Sequence, residues 1–167
     1  RGKAPHDFMF DLLAEENAYV EAIFFCMSDD NMDRILTKPY VMVGSDAGAR
    51  ALDGPLAIGR PHPRTYGSFP AFLQRYVRER KLVSIPEAVK KLSTMACRFF
   101  GIAGRGEITP GKFADITIFD PKRIQDNSTY TQPMAAPTGI KNVIVNGVHA
   151  VKDGRLTGKL AGRVVTR

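Results

Sequence analysis

The stretch YVMVGSDAG, residues 40–48, decides the fold class of this chain. It begins with a short, continuously apolar run, which is typical of a strand covered on both faces in a parallel sheet. The earlier run YVEAIFFCM at 19–27 has the β-branched and aromatic residues, and the length, of another strand. Helical spacing at 4–16, and a Ser28 cap followed by two aspartates, predict a helix before each strand. Helix, strand, helix, strand is the α/β pattern.

The segment after this strand predicts a long loop followed by two helices. Residues 46–65 are rich in glycine and proline and have no apolar period, and loops of this length are usually functional or disordered. A stripe of apolar residues from Phe69 to Val77 predicts the first helix. The second helix opens with a capping box in which Ser84 is the cap and Glu87 its acidic member.

After the helices, the apolar period changes to two. Residues 114–119 alternate as a half-buried strand does, and the run around Asn146-Gly147 carries the strongest short-range signal for a hairpin. The chain is therefore predicted to divide into an α/β part, residues 1–104, and a small β part, residues 105–167.

The parallel sheet predicted here is incomplete. Only two strands of the parallel type can be recognised, and two strands do not make a stable independent sheet. Either partner chains supply the missing strands, or the chain is a piece of a larger barrel. In both cases the unpaired strand edges predict self-association of the isolated chain.

The composition is that of a globular protein and disfavours several classes of function. Hydrophobic residues make up 44% of the 167 residues, enough to bury a core. The net charge of +7 comes without blocks of like charge or interleaved aromatic and basic residues, so we expect no nucleic-acid partner. Without a long apolar run or a signal peptide, we expect no membrane association and a cytoplasmic location. Cys26 and Cys97 lie in apolar surroundings and are predicted to be buried, reduced thiols.

Asp46 and Arg64 are the best candidates for chemistry. Asp46 follows the apolar strand directly, where a barrel of parallel strands places its catalytic groups, although a turn aspartate is an equally ordinary interpretation. Arg64 follows His62-Pro63 and could hold a carboxylate through two parallel hydrogen bonds, although a lone arginine is more often surface charge. We interpret His62 as a residue that orients the loop, because one histidine without a second ligand is weak evidence for a metal.

Residues 41–80, VMVGSDAGARALDGPLAIGRPHPRTYGSFPAFLQRYVRER, resemble the last barrel strand and following loop of the N-acyl-D-amino-acid deacylases of the amidohydrolase superfamily. That family has Ser-Asp-Gly after its final strand, then His-Pro-Arg, then a helix start with Tyr or Trp before Gly. GEITPGKFAD at 106–115 looks like the entry to the superfamily's accessory β-sandwich, and VIVNG at 143–147 is similar to its closing hairpin. The resemblance implies an α/β fold, with the C-terminal part of a TIM-like (β/α)8 metallo-hydrolase barrel at 1–104 and strands of a small accessory β-sandwich domain at 105–167.

The same resemblance implies roles for individual residues. Asp46 matches the aspartate that meets the zinc site and acts as general base, and Arg64 matches the arginine that holds the α-carboxylate of the substrate. The implied activity is zinc-dependent hydrolysis of the amide bond of a small N-acyl-D-amino acid. Supporting positions are Ser45, His62, Tyr66 and Gly67.

Two departures from the family pattern affect these expectations. Ala47 stands where the family has glycine, which predicts a tighter backbone or a narrower pocket. The family's His-x-His pair and its other metal ligands belong to an N-terminal region that this sequence does not include, which leaves Asp46 as a candidate ligand without companions. We therefore expect zinc in the intact enzyme, and neither specific zinc nor catalysis from this chain without the N-terminal part of the barrel.

Two alternative functions remain open. A related cyclic amidohydrolase, such as a dihydroorotase or hydantoinase, would act on a cyclic amide, although the His-Pro-Arg context of Arg64 favours an acyclic substrate. The chain could instead be a non-catalytic assembly or interaction module, a role that suits an incomplete barrel with exposed apolar faces.

Overall fold

The structure is a computed structural model that describes residues 2–165. Its described helices all lie before residue 100. They are α1 (Pro5–Glu15), α2 (Asp29–Leu36), α3 (Arg64–Phe72), α4 (Ile85–Val89) and α5 (Met95–Phe99). A π-helical turn at Leu73–Glu79 continues α3, and a second one at Lys90–Thr94 joins α4 to α5. The long loop before α3 contains a single 3₁₀ turn, Gly54–Leu56, among its described residues.

The capping residues predicted from the sequence begin α2 and α4. Ser28 Oγ accepts a hydrogen bond from the Asn31 amide at 3.2 Å, and Ser84 Oγ accepts one from the Glu87 amide at 3.3 Å. Each serine thereby satisfies a backbone N–H that has no partner inside its helix. Both predicted helix starts are confirmed.

Within residues 2–165 the strands form one antiparallel sheet in the order β1-β2-β3-β4. Their bounds are β1 (Ile116–Phe119), β2 (Ile140–Val145), β3 (Val148–Lys152) and β4 (Arg155–Leu156). Asn146 and Gly147 connect β2 to β3 with φ angles of 49° and 80°. Positive φ at both central residues is what a tight hairpin turn of type I′ requires, so the predicted hairpin is confirmed.

The hydrophobic core joins the helices to the sheet. Its buried apolar side chains are Phe72, Leu73, Tyr76, Val83, Ala88 and Ile124. Phe119 of β1 and Ile140 of β2 pack against this cluster from the sheet side. The core therefore draws residues from both predicted parts of the chain, and the division into 1–104 and 105–167 stays a prediction.

Lys91, in the turn between α4 and α5, is completely buried. Its ammonium group donates hydrogen bonds to the carbonyl oxygens of Lys38 and Val41, the second at 3.0 Å. Its own carbonyl oxygen accepts from the Val43 amide at 3.4 Å. Burial lowers the pKa of Lys91 because water no longer solvates the charged form. These contacts attach the segment that leads to Asp46 to the helical core.

Two expectations about local structure were wrong. The runs at 19–27 and 40–44 form no paired strand among residues 2–165, where the recorded pairings involve only β1 to β4 and an isolated bridge. A strand of a parallel sheet needs a neighbour for its backbone groups, and these runs find none in the described part of the chain. Cys26 is exposed and Cys97 is half-buried, so the predicted burial of both thiols was also wrong, although both are free.

No helix within residues 2–165 combines the length and the apolar character needed to cross a bilayer.

Candidate functional site

Asp46 lies in an open pocket of about 790 Å³ that three segments of the chain line. One wall is residues 21–24, a second is residues 46–48 with Arg50, and a third is residues 58–62 with Arg64 and Thr65. We call this cavity the Asp46 pocket. The long loop predicted from the Gly-Pro composition thus supplies two of its three walls.

Asp46 and Arg64 form an ion pair in the lining of the pocket. Asp46 Oδ2 lies 3.0 Å from a terminal nitrogen of the Arg64 guanidinium. The carboxylate is 88% exposed and the guanidinium side chain 47% exposed, so both groups can reach a ligand from solution. A solvated ion pair of this kind contributes little to stability, about 0–1 kcal/mol. The pair therefore suggests a role in ligand binding because of its place in the pocket, and not because it stabilises the fold.

The backbone at Asp46 is held in an uncommon conformation. Its φ angle is 49°, in the left-handed region that aspartate adopts more readily than most residues. Ala47 is not among the described residues with positive φ, so alanine in place of the family's glycine introduces no backbone strain at that position. Ser45, which precedes Asp46, is half-buried.

His62 fixes the start of the helix that carries Arg64. Its Nδ1 accepts a hydrogen bond from the Arg64 amide at 3.0 Å, which requires that this nitrogen be unprotonated. Burial, and then the positive charge of Arg64, lower the pKa of His62 and so favour the neutral ring. The structure thus provides a contact through which His62 can orient the loop, the role predicted for it.

Tyr66 and Gly67 lie behind the pocket. The Tyr66 hydroxyl donates to the Ala51 carbonyl oxygen at 2.9 Å and so ties the long loop to α3. Gly67 is buried, and an added Cβ would collide with the Asp126 carboxylate. Neither residue lines the Asp46 pocket, and their supporting roles stay predictions.

Sequence reasoning missed a contribution from the connection between β1 and β2. The Tyr130 ring lies edge-to-face on the His62 ring, with centroids 5.3 Å apart, and the Arg60 guanidinium donates to the Thr131 carbonyl oxygen at 3.4 Å. These residues lie far from the pocket loop in sequence, and residues 121–139 have no apolar period. No local signal could have linked them to the site.

The described residues do not by themselves fit a zinc ion. Tetrahedral zinc needs several His, Cys or carboxylate ligands, and within residues 2–165 no three such side chains are placed to hold a metal. Asp46 is paired with a guanidinium, which competes with a cation for the carboxylate. Any zinc at this pocket must take most of its ligands from outside the described residues.

This chain matches a family model and also part of a longer known protein. The model described as "Amidohydrolase family" matches residues 32–151, which is more than half of the chain. The chain belongs to the amidohydrolase family. As a relative, D-aminoacylase from Alcaligenes xylosoxydans xylosoxydans is 36% identical over the whole chain. The chain covers 32% of that protein, so it spans about a third of the length of this relative.

Solved structures of amidohydrolases have a similar fold. A crystal structure of D-aminoacylase matches with a TM-score of 0.77 and 38% identity, over 86% of this chain and 29% of that one. The N-acyl-D-glutamate deacylase of Bordetella bronchiseptica matches with a TM-score of 0.72 and 35% identity, over 92% of this chain and 35% of that one. Its structure contains zinc and a phosphonate inhibitor that mimics the tetrahedral intermediate of the reaction. The predicted family and fold class are confirmed, with the chain matching part of a zinc-containing amidohydrolase.

Proposed function

We propose that this chain contributes the general base and the carboxylate-binding arginine to a metal-dependent hydrolase of N-acyl-D-amino acids. In this assignment Asp46 is the base, and Arg64 binds the α-carboxylate of the substrate. Relatives at 35–38% identity that are named as D-aminoacylase and N-acyl-D-glutamate deacylase support the substrate class.

The observation that carries the assignment is the 3.0 Å contact between Asp46 and Arg64 in an open pocket. In an N-acyl amino acid, a single Cα separates the scissile amide nitrogen from the carboxylate carbon. A base that serves this nitrogen and a cation that binds this carboxylate must therefore be close neighbours. One terminal nitrogen of Arg64 contacts Asp46, which leaves the other N–H groups of the guanidinium for the substrate.

In the proposed reaction, Asp46 takes a proton from the water whose oxygen attacks the amide carbonyl carbon. As the C–N bond breaks, the same carboxyl group returns the proton to the departing nitrogen. The products are a carboxylate and a free amino acid. Arg64 holds the substrate by its carboxylate throughout, and this fixes the amide against Asp46.

Zinc, when bound in the complete enzyme, would activate water and polarise the carbonyl group. Because the described residues supply one candidate carboxylate ligand, we propose that the rest of the barrel supplies the others. Accordingly, the 167-residue chain alone is expected to have no deacylase activity. Hydrolysis of N-acetyl-D-methionine by the purified chain, abolished in Asp46→Asn, would show that this expectation is wrong.

The test uses the complete enzyme that contains these residues, assayed on N-acetyl-D-methionine and on its L isomer. Asp46→Asn should lower kcat by about 10²-fold or more, the usual size of a general-base contribution. Arg64→Gln should raise KM by about tenfold or more, since a charge-assisted hydrogen bond contributes roughly 1.5–3 kcal/mol. The matched control is Asp53→Asn, an exposed aspartate of the same loop whose side chain caps no helix, and it should behave as the parent enzyme.

The alternative functions give different results in the same assay. Turnover of dihydroorotate or a hydantoin without turnover of the N-acyl-D-amino acid would identify a cyclic amidohydrolase. Absence of turnover on both substrate types, in a folded and zinc-loaded protein, would favour a non-catalytic interaction module.

A further inference from the structure

Residues 128–131, which we call the buttress segment, run alongside residues 60–63, which lead directly into Arg64 at the start of α3. The two segments touch at three successive points in antiparallel order. Arg60 donates to the Thr131 carbonyl oxygen at 3.4 Å, the His62 ring meets the Tyr130 ring, and Ser128 Oγ lies 3.1 Å from the Pro63 carbonyl oxygen.

Tyr130 also contacts the chain next to another wall of the Asp46 pocket. Its ring lies edge-to-face on Phe25 with centroids 4.8 Å apart, and Phe25 follows directly on the wall residues 21–24. The same ring lies 5.3 Å from that of His62 on the other wall, at an interplanar angle of 88°. Edge-to-face contact is one of the favourable arrangements of two aromatic rings. One tyrosine therefore connects two walls that come from distant parts of the chain.

The contact with His62 links Tyr130 to Arg64, because His62 accepts a hydrogen bond from the Arg64 amide. The His62 ring can accept the hydrogen bond from the Arg64 amide only in one orientation, and Tyr130 packs against that ring. Ser128 is a weaker anchor. Its single hydroxyl hydrogen is shared between Pro63 and the Asp126 carboxylate, whose Oδ1 lies 2.6 Å away. Tyr130 is thus the principal contact of the buttress segment.

We infer that Tyr130 is a positioning residue for Arg64, acting through His62 to set how tightly the enzyme binds the carboxylate of its substrate. The inference rests on the proposed function, because it takes Arg64 to be the carboxylate-binding residue. Tyr130 does not line the Asp46 pocket, and it acts through the rings on either side.

The experiment measures KM and kcat of the complete enzyme for N-acetyl-D-methionine and for its α-carboxamide, which lacks the negative charge. Tyr130→Ala should raise KM for the carboxylate about tenfold, equivalent to ~1.4 kcal/mol, and change kcat less than about threefold. The kcat/KM for the carboxamide should stay within about twofold of the parent value. Tyr130→Phe keeps both ring contacts and should match the parent enzyme.

A second variant guards against misfolding. Tyr130→Leu keeps apolar bulk without a ring, and its KM for the carboxylate should lie between those of the parent and Tyr130→Ala. If Tyr130→Ala lowers kcat/KM for both substrates by the same factor, its role is general structure and the inference is wrong. An unchanged KM in Tyr130→Ala, with a raised KM in Arg64→Gln, also overturns it. If Arg64→Gln itself leaves KM unchanged, the proposed function fails instead.

Discussion

Gly67 allows the connection between β1 and β2 to approach helix α3 closely at Asp126. The Asp126 carboxylate occupies the space that a Cβ at position 67 would need. That carboxylate cannot move freely, because its Oδ1 accepts hydrogen bonds from the amide of Ser128 at 2.8 Å and from its hydroxyl at 2.6 Å. The absence of a side chain at Gly67 thus leaves room for Asp126, and the buttress segment that follows it can lie alongside residues 60–63.

Replacement of Gly67 should therefore be costly. Gly67→Ala should destabilise the chain by about 1–3 kcal/mol, the usual cost of overpacking, measured by urea denaturation. In the double variant with Asp126→Ala, which removes the obstructing carboxylate, the effect of Gly67→Ala should be smaller. Strictly additive effects would show that the two residues do not interfere.

At the scale of secondary-structure elements, Asp115, just before β1, holds this part of the chain against the turn between β2 and β3 through hydrogen bonds. Its Oδ1 accepts from the Asn146 amide at 2.8 Å, and its other oxygen pairs with Arg105. Arg105 in turn donates to Asn146 Oδ1 at 2.6 Å. Burial raises the pKa of Asp115, but the Asn146 amide and the Arg105 guanidinium outweigh it, so the pKa lies below its usual value.

This lowered pKa predicts how stability depends on pH. The charged Asp115 stabilises the fold at pH values above the unfolded-state pKa, about 4, and this stabilisation is lost as pH falls through the lower folded-state pKa. Asp115→Asn should cost about 1–2 kcal/mol at neutral pH, and the difference from the parent should shrink in acid. Thermal denaturation at several pH values measures it. Asp153→Asn, in the β3–β4 turn, is the control and should show no such change; a constant difference for Asp115→Asn would contradict the prediction.

The elements that sequence reasoning predicted correctly depend on local chemistry. Ser28 and Ser84 cap helices through residues three positions away, and Asn146-Gly147 adopts its turn through its own backbone preferences. The runs at 19–27 and 40–44 have equally clear strand composition but lack paired neighbours in the described chain. Their pairing depends on partners that composition cannot supply.

The residues of the candidate site also separate into those that a local signal predicted and those that only the tertiary structure brings in. Asp46 and Arg64 were predicted from a strand end and a short motif, and the structure brings them to 3.0 Å of each other. Their roles in catalysis stay predictions. Tyr130 could not be predicted, because its contacts with Phe25 and His62 depend on how the connection between β1 and β2 folds back across α3.

At the scale of the whole molecule, an exposed apolar surface follows the run at 19–27. Tyr19 is 90% exposed, and Phe24 is 82% exposed. Phe25 and Met27 are exposed nearby. Several large, exposed apolar side chains in one short segment are typical of a surface that another chain or domain covers.

The isolated 167-residue chain should therefore self-associate as its concentration rises. The double variant Tyr19→Ser with Phe24→Ser should lower the average mass measured by light scattering after size exclusion, because it removes apolar surface from the contact. Leu160→Ser, which changes a fully exposed apolar residue elsewhere, is the control. A monodisperse monomer at all concentrations would count against the exposed interface.

The burial of Lys91 has a practical consequence for chemical labelling. Amine-reactive reagents modify lysines on the protein surface, such as Lys81, without any change in fold. The ε-amine of Lys91 is buried and donates hydrogen bonds to two carbonyl groups, so a reagent reaches it only when the structure around it opens. Acylation of Lys91 would therefore report, in each molecule, that its contacts with Lys38 and Val41, in the segment leading to Asp46, have opened.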